Sequence, residues 1–126
     1  MIAVTLSLPP RPEFLHVIRS VTTSVAASTD MPLDVVEEFS VAVDEAATML
    51  LTARGVRETL RVDLVAEGDE LRCEVSGDET SAQWPPPGFE DGFAWRVMST
   101  LTDSPALADG PEGPRVRLSK RVPNLV

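Results

Sequence analysis

"PLDVVEEFSVAVDEAATMLLTA", residues 32–53, is the stretch on which the fold turns. Val35, Phe39, Val43, Ala46 and Leu50 recur at helical spacing, with Ala42 and Ala53 beside them. That makes one apolar stripe of a long amphipathic helix. Asp30, Pro32 and the Asp34-x-x-Glu37 pair are helix-start signals. Arg54-Gly55 stops the helix. A helix of this length needs a layer to lie on, and the flanking sequence supplies one.

Upstream, "IAVTLSL" (2–8) alternates Ile2, Val4, Leu6 and Leu8 on one face and reads as a half-buried strand, which "PPRP" (9–12) breaks. From Glu13 to Ser28 the positions Phe14, Val17, Ile18, Val21 and Val25 form the stripe of a first helix. Downstream, "TLRVDLV" (59–65) and "ELRCEVS" (70–76) alternate around Gly68-Asp69, the pattern of a β-hairpin. "GDETSAQWPPPGFEDG" (77–92) is a long loop, because three consecutive prolines admit neither a helix nor a central strand. A third helix is expected over 92–103, with Ala94, Val97, Met98 and Leu101 on its stripe and Trp95 pointing away. "PALAD" (105–109) and "RVRLSKRV" (115–122) are strands separated by the turn "GPEGP". The order β-α-α-β-β-loop-α-β-β predicts an α/β fold, a two-layer sandwich with one mixed, mostly antiparallel sheet and helices on one face. Phe14, Val21, Phe39, Val43, Leu50, Leu64 and Val75 are expected between the layers.

The chain of 126 residues suits a single domain spanning 1–126. Its net charge of −9 argues against sequence-independent nucleic-acid binding, which needs Lys and Arg against phosphates. The apolar runs are too short to span a membrane. The N-terminal stretch has no basic region and no small-residue cleavage site, so no signal peptide is expected and the location is read as cytoplasmic. The lone Cys73 sits on an alternating apolar segment as a core residue would. His16 has no Cys or second His near it, and no metal site is expected.

On the second helix, a step of 100° per residue puts Asp44 on the solvent side and groups Glu38, Glu45 and Met49 on the edge of the stripe. A carboxylate on that edge can reach a pocket roofed by whatever covers the helix, so Glu45 is placed as a general base would be. The plainer alternative is a solvated glutamate on a helix shoulder.

"LSLPPRPEFLHVIRSVTTSVAASTDMPLDVVEEFSVAVDEAATMLL" (6–51) resembles the opening of the bacterial anti-sigma factor serine kinases, of the histidine-kinase-like (GHKL, or Bergerat-type) ATPase superfamily. Arg19 follows Pro12 by seven residues, as in the family's P-x-x-x-x-x-x-R helix. "VDEAATM" (43–49) is similar to its V-x-E-A-x-x-N motif except at the end, and "GFAWRVMSTLTDS" (92–104) is similar to its G-L-G-L helix. The chain also resembles a mycobacterial-type anti-sigma branch in which these boxes are eroded. The resemblance implies that Glu45 is the catalytic base. It implies that positions 49, 77, 78, 92 and 94 bind Mg²⁺ and ATP. In this chain those positions are Met49, Gly77, Asp78, Gly92 and Ala94.

Met49 stands where the family has the asparagine that holds Mg²⁺, and a thioether is a poor ligand for so hard an ion. The aspartate that reads adenine is absent or shifted by one, with Asp78-Glu79 as an acidic pair. Ala94 replaces a phosphate-cradle glycine, and "WPPPGFE" (84–90) stands in place of a glycine-rich lid. Two function classes remain. One is an anti-sigma-like regulator that acts by contact in a transcription partner switch, with no cofactor. The other is a divergent ATP- and Mg²⁺-dependent serine kinase acting on an anti-sigma antagonist. The implied partners are a sigma factor or an anti-anti-sigma protein, and the resemblance implies a homodimer. The rings of Trp84, Phe89 and Trp95 either fill the vacated pocket, the reading adopted here, or form a patch for a partner.

Overall fold

A computed structural model describes residues 1–52, 58–78, 84–109 and 113–122. The elements follow the expected order: β1 (Ile2–Leu8), α1 (Leu15–Ala27), α2 (Leu33–Thr52), β2 (Leu60–Glu67), β3 (Glu70–Gly77), α3 (Phe93–Leu101), β4 (Asp103–Ala108) and β5 (Arg115–Arg121). Single 3-10 turns, Pro12–Phe14 and Phe89–Asp91, precede α1 and α3. The expected helix stop at Arg54-Gly55 and residues 110–112 of the GPEGP turn lie outside the described residues.

The five strands form one sheet in the order β1-β2-β3-β5-β4. All of its pairings are antiparallel, so the sheet is not mixed. Gly68 turns the β2–β3 hairpin with φ +60, a left-handed conformation that glycine adopts without a Cβ penalty. Alternation assigns the faces. Leu60, Val62, Leu64, Leu71, Cys73, Val75, Val116 and Leu118 are buried toward the helices. Arg61, Asp63, Arg72, Glu74 and Arg117 face the other way.

The α2 helix is the hub. It touches α1, α3, β3 and β5. Phe39, Ala42, Val43, Ala46, Ala47 and Leu50 are each at most 1% exposed. Alanines among them let neighbouring elements approach closely, while Phe39 and Leu50 fill the space between the layers.

The α1 stripe differs from the expected one. Ile18, Thr22, Val25 and Ala26 are its buried residues, and Val21 is half-buried at the margin. Thr22 can be buried because its hydroxyl donates to the Ile18 carbonyl at 2.7 Å. An apolar pattern alone passes over that residue and so rotates the helix. Phe14 is half-buried, not buried, because it belongs to the 3-10 turn ahead of α1. On α3, Trp95 packs against the core with Ala94, Met98 and Leu101 and does not point away. Thr102 at the helix end is also buried, its hydroxyl bonded to the Met98 carbonyl at 2.6 Å.

Phe39→Ala should cost about 3–5 kcal/mol, since it empties the centre of the interlayer space. Denaturant unfolding measures this. A loss typical of surface positions would contradict the central place of α2.

Candidate functional site

Glu45 and Met49 stand one turn apart on α2, both half-buried, as the helical phase anticipated. Met49 packs against the core. Burial pushes the Glu45 carboxyl above the usual glutamate value, and the adjacent Asp44 charge adds to the shift. Among the described residues Glu45 makes no hydrogen bond or ion pair, so no neighbour orients it for proton transfer.

Asp44 is not on the solvent side. Its side chain is 24% exposed, and its carboxylate pairs with the Arg19 guanidinium at 3.1 Å. This contact joins the two boxes that carry the resemblance, one on α1 and one on α2. Arg19 is half-exposed, so the pair contributes at most about 1 kcal/mol. The charge alternation of the sequence holds no hint of it, since the partners are 25 positions apart.

Gly77 and Asp78 lie at the end of β3. The Gly77 N–H donates to the Pro114 carbonyl at 2.9 Å. Gly113 crosses close by at φ +103, where a Cβ would stand 2.4 Å from the Gly77 oxygen, so glycine is required there. The Asp78 carboxylate accepts the backbone N–H of Glu58 at 3.1 Å and of Thr59 at 3.3 Å. It thereby ties the entry of β2 to the exit of β3, an engagement that the sequence reading did not foresee. Glu79, the other half of the acidic pair, lies outside the described residues. Asp78 also lines a concavity of about 510 Å³ with Thr59, Arg61, Ser76 and Arg115. A second hollow of about 360 Å³ lies between β1 and α1, lined by Ile2, Val4, Val21 and Val25 and by serines of α1. Neither hollow is lined by Glu45, Met49, Gly92 or Ala94.

Gly92 is the N-cap of α3, in an extended conformation, and its N–H bonds the Phe89 carbonyl at 3.0 Å. Ala94 is half-buried against the core. The segment before α3 is anchored. Trp84 is 7% exposed, and its indole N–H donates to the Ala108 carbonyl at 2.9 Å. Phe89 meets Trp95 edge-on, with ring centroids 5.1 Å apart. Of the two readings of these aromatics, burial therefore holds for Trp84 and, in part, for Trp95. Phe93 is the exposed ring, at 72%. No group of metal-ligating side chains occurs among the described residues.

Five antiparallel strands backed on one face by three α-helices are consistent with the two-layer fold of the histidine-kinase-like ATPases. No family model matches the chain. The chain is similar to the anti-sigma-F factor RsbW of Mycobacterium tuberculosis, in strains CDC 1551 / Oshkosh and ATCC 25618 / H37Rv. Each is 30% identical to it over 101 residues, covering 80% of this chain and 58% of the relative. The resemblance to the anti-sigma branch drawn from the motifs is thereby borne out, and the chain spans somewhat over half the length of these relatives. No helix among the described residues is long and apolar enough to cross a membrane.

Folding raises the Glu45 pKa, so the folded state binds this proton more tightly than the unfolded state does. The associated stability is fully present below the ordinary glutamate value and is lost as pH rises through the raised folded value. Glu45→Gln should therefore raise the melting temperature at neutral pH and change little in acid below the usual carboxylate range. Thermal melts at the two pH values test this. An equal effect at both would contradict the burial of this carboxyl.

Proposed function

We propose that this chain is an anti-sigma-like regulatory protein that acts by protein–protein contact in a transcription partner switch. Its nucleotide site is degenerate. The observation that carries this reading is Met49. One turn after Glu45, at the position the resemblance assigns to the Mg²⁺ ligand, a thioether packs against the core. Magnesium demands near-octahedral oxygen ligands, and a thioether on an apolar surface supplies none. Two further observations support the reading. Asp78 is engaged in backbone hydrogen bonds, and Trp84 is fastened to Ala108 in the stretch where a lid would have to move. The partner would be a sigma factor, as the name of the mycobacterial relatives suggests, or an anti-anti-sigma protein, as the motif resemblance implies. Such a partner belongs to the bacterial cytoplasm.

A homodimer fits this reading. Strand β1 is a sheet edge of seven residues with neither charge nor proline, beside the apolar hollow of Ile2, Val4, Val21 and Val25. The opposite edge, β4, is blunted by Asp103, Pro105 and a register shift. A bare edge of this kind favours pairing with a second copy. Light scattering that returned a monomer at micromolar concentration would remove this part of the reading.

A divergent serine kinase is the second reading, and one observation favours it. Glu45 is half-buried with a raised pKa, as a general base needs. Partner binding separates the two. A sigma factor or anti-anti-sigma protein that binds the purified chain should do so with an affinity changed less than about twofold by Mg·ATP. A nucleotide-dependent gain of about tenfold or more, equal to about 1.4 kcal/mol of coupling, would favour the kinase. So would phosphate transfer to the bound protein.

A further inference from the structure

The carboxylates of the sheet and those of α2 differ. On the outer face of the sheet most are ion-paired, Glu67 excepted. Asp63 pairs with Arg61 at 3.1 Å, Glu74 with Arg117 at 2.9 Å and Arg115 at 3.2 Å, and Glu70 with Arg121 at 3.1 Å. On the first half of α2 they are not. Glu37 and Glu38 are exposed and make no ion pair among the described residues. Asp34 is exposed too and accepts only the Val35 N–H, at 3.0 Å. Arg19 is the single Lys or Arg of α1 and α2, and Asp44 holds it.

The same stretch carries exposed aliphatic side chains, Leu33 at 71% and Val41 at 48%. Leu33, Glu37 and Val41 follow one another at four-residue steps and so form one row along the helix, with Asp34 and Glu38 in the row beside it. The two aliphatic groups are about 12 Å apart along the axis. Each alone is an ordinary surface residue. The two lie on one row with Glu37 between them and Asp34 and Glu38 beside it.

We propose that the Leu33–Val41 face of α2 docks a basic amphipathic helix of a partner protein. Aliphatic side chains two turns apart on that helix would cover Leu33 and Val41, and flanking Lys or Arg would meet Asp34, Glu37 and Glu38. This assignment rests on the reading that the chain works by contact, and it names the contact surface. Charge selects the occupant. A second copy laid symmetrically on this face would set carboxylates against carboxylates. An anionic lipid surface would be repelled in the same way.

The test uses the whole chain, isotopically labelled, and a synthetic leucine/lysine amphipathic helix as probe, with its leucine/glutamate counterpart as control. Amide shifts on titration with the lysine peptide should cluster over residues 33–45, and the glutamate peptide should not bind. Leu33→Ser/Val41→Ser should weaken binding about tenfold or more. Glu37→Gln/Glu38→Gln should weaken it and flatten its salt dependence. Glu90→Gln/Asp91→Asn, which removes equal charge elsewhere on the surface, should change it less than about twofold. All substituted positions are exposed, so melting temperatures should stay near that of the parent chain and report on folding. Absent binding, shifts centred elsewhere, or an equal loss in the Glu90/Asp91 variant would overturn the proposal. If sigma-factor binding withstands both α2 double variants, this surface falls and the proposed function stands. If no sigma factor binds while the lysine peptide docks on α2 as described, the proposed function falls and the surface stands.

Discussion

Everything in this molecule depends on the complete burial of one face of α2. A twenty-residue helix covers the sheet and is flanked by α1 and α3, and its inward residues from Phe39 to Leu50 are closed to water. Each fully buried Val, Leu or Phe side chain among them contributes about 1.5–3 kcal/mol against chain entropy. The sheet could not supply this alone, because its other face is covered with arginines and carboxylates. The small side chains Ala42, Ala46 and Ala47 set how close the neighbouring elements come. The edge on which Glu45 and Met49 stand is therefore fixed by the core, not by any ligand.

On the proposed reading, that constraint lets the fold persist while the chemistry at its edge changes. Glu45 and Met49 are only half-buried, so substitution there leaves the core intact. The positions to which the motif resemblance assigns a nucleotide site make structural contacts. Asp78 joins β2 to β3, Met49 covers core, and Trp84 is fastened to β4. Each of these stabilises the fold without a ligand. Glu45, with no orienting partner among the described residues, is the one group left in a chemically suggestive state.

Much of the architecture was legible because alternation and helical spacing are local. The hairpin around Gly68, the strands at both ends and the stripe of α2 from Phe39 to Leu50 lie where the pattern puts them, while at the start of α2 Val36 and not Val35 is buried. What escaped was non-local or polar. Thr22 and Thr102 are buried by bonding their own helix carbonyls, and counting only apolar residues rotated α1 for that reason. A 3-10 turn continues the apolar spacing of α1, so the pattern alone does not separate Phe14 from the helix. A stripe through Val97 points Trp95 outward, whereas the face that meets the core runs through Ala94, Trp95, Met98 and Leu101. The Arg19–Asp44 pair, the Asp78 bonds and the Trp84–Ala108 bond join residues about twenty or more positions apart, and no short-range pattern carries them. Of the candidate site, the Glu45–Met49 edge could be read directly, while the surroundings of Gly77, Asp78, Gly92 and Ala94 required the fold.

The proposed loss of the nucleotide site is tested most directly by calorimetric titration of the purified chain with ATP in the presence of Mg²⁺. The expected result is no saturable binding up to millimolar nucleotide. A dissociation constant in the micromolar range, dependent on Mg²⁺, would contradict it.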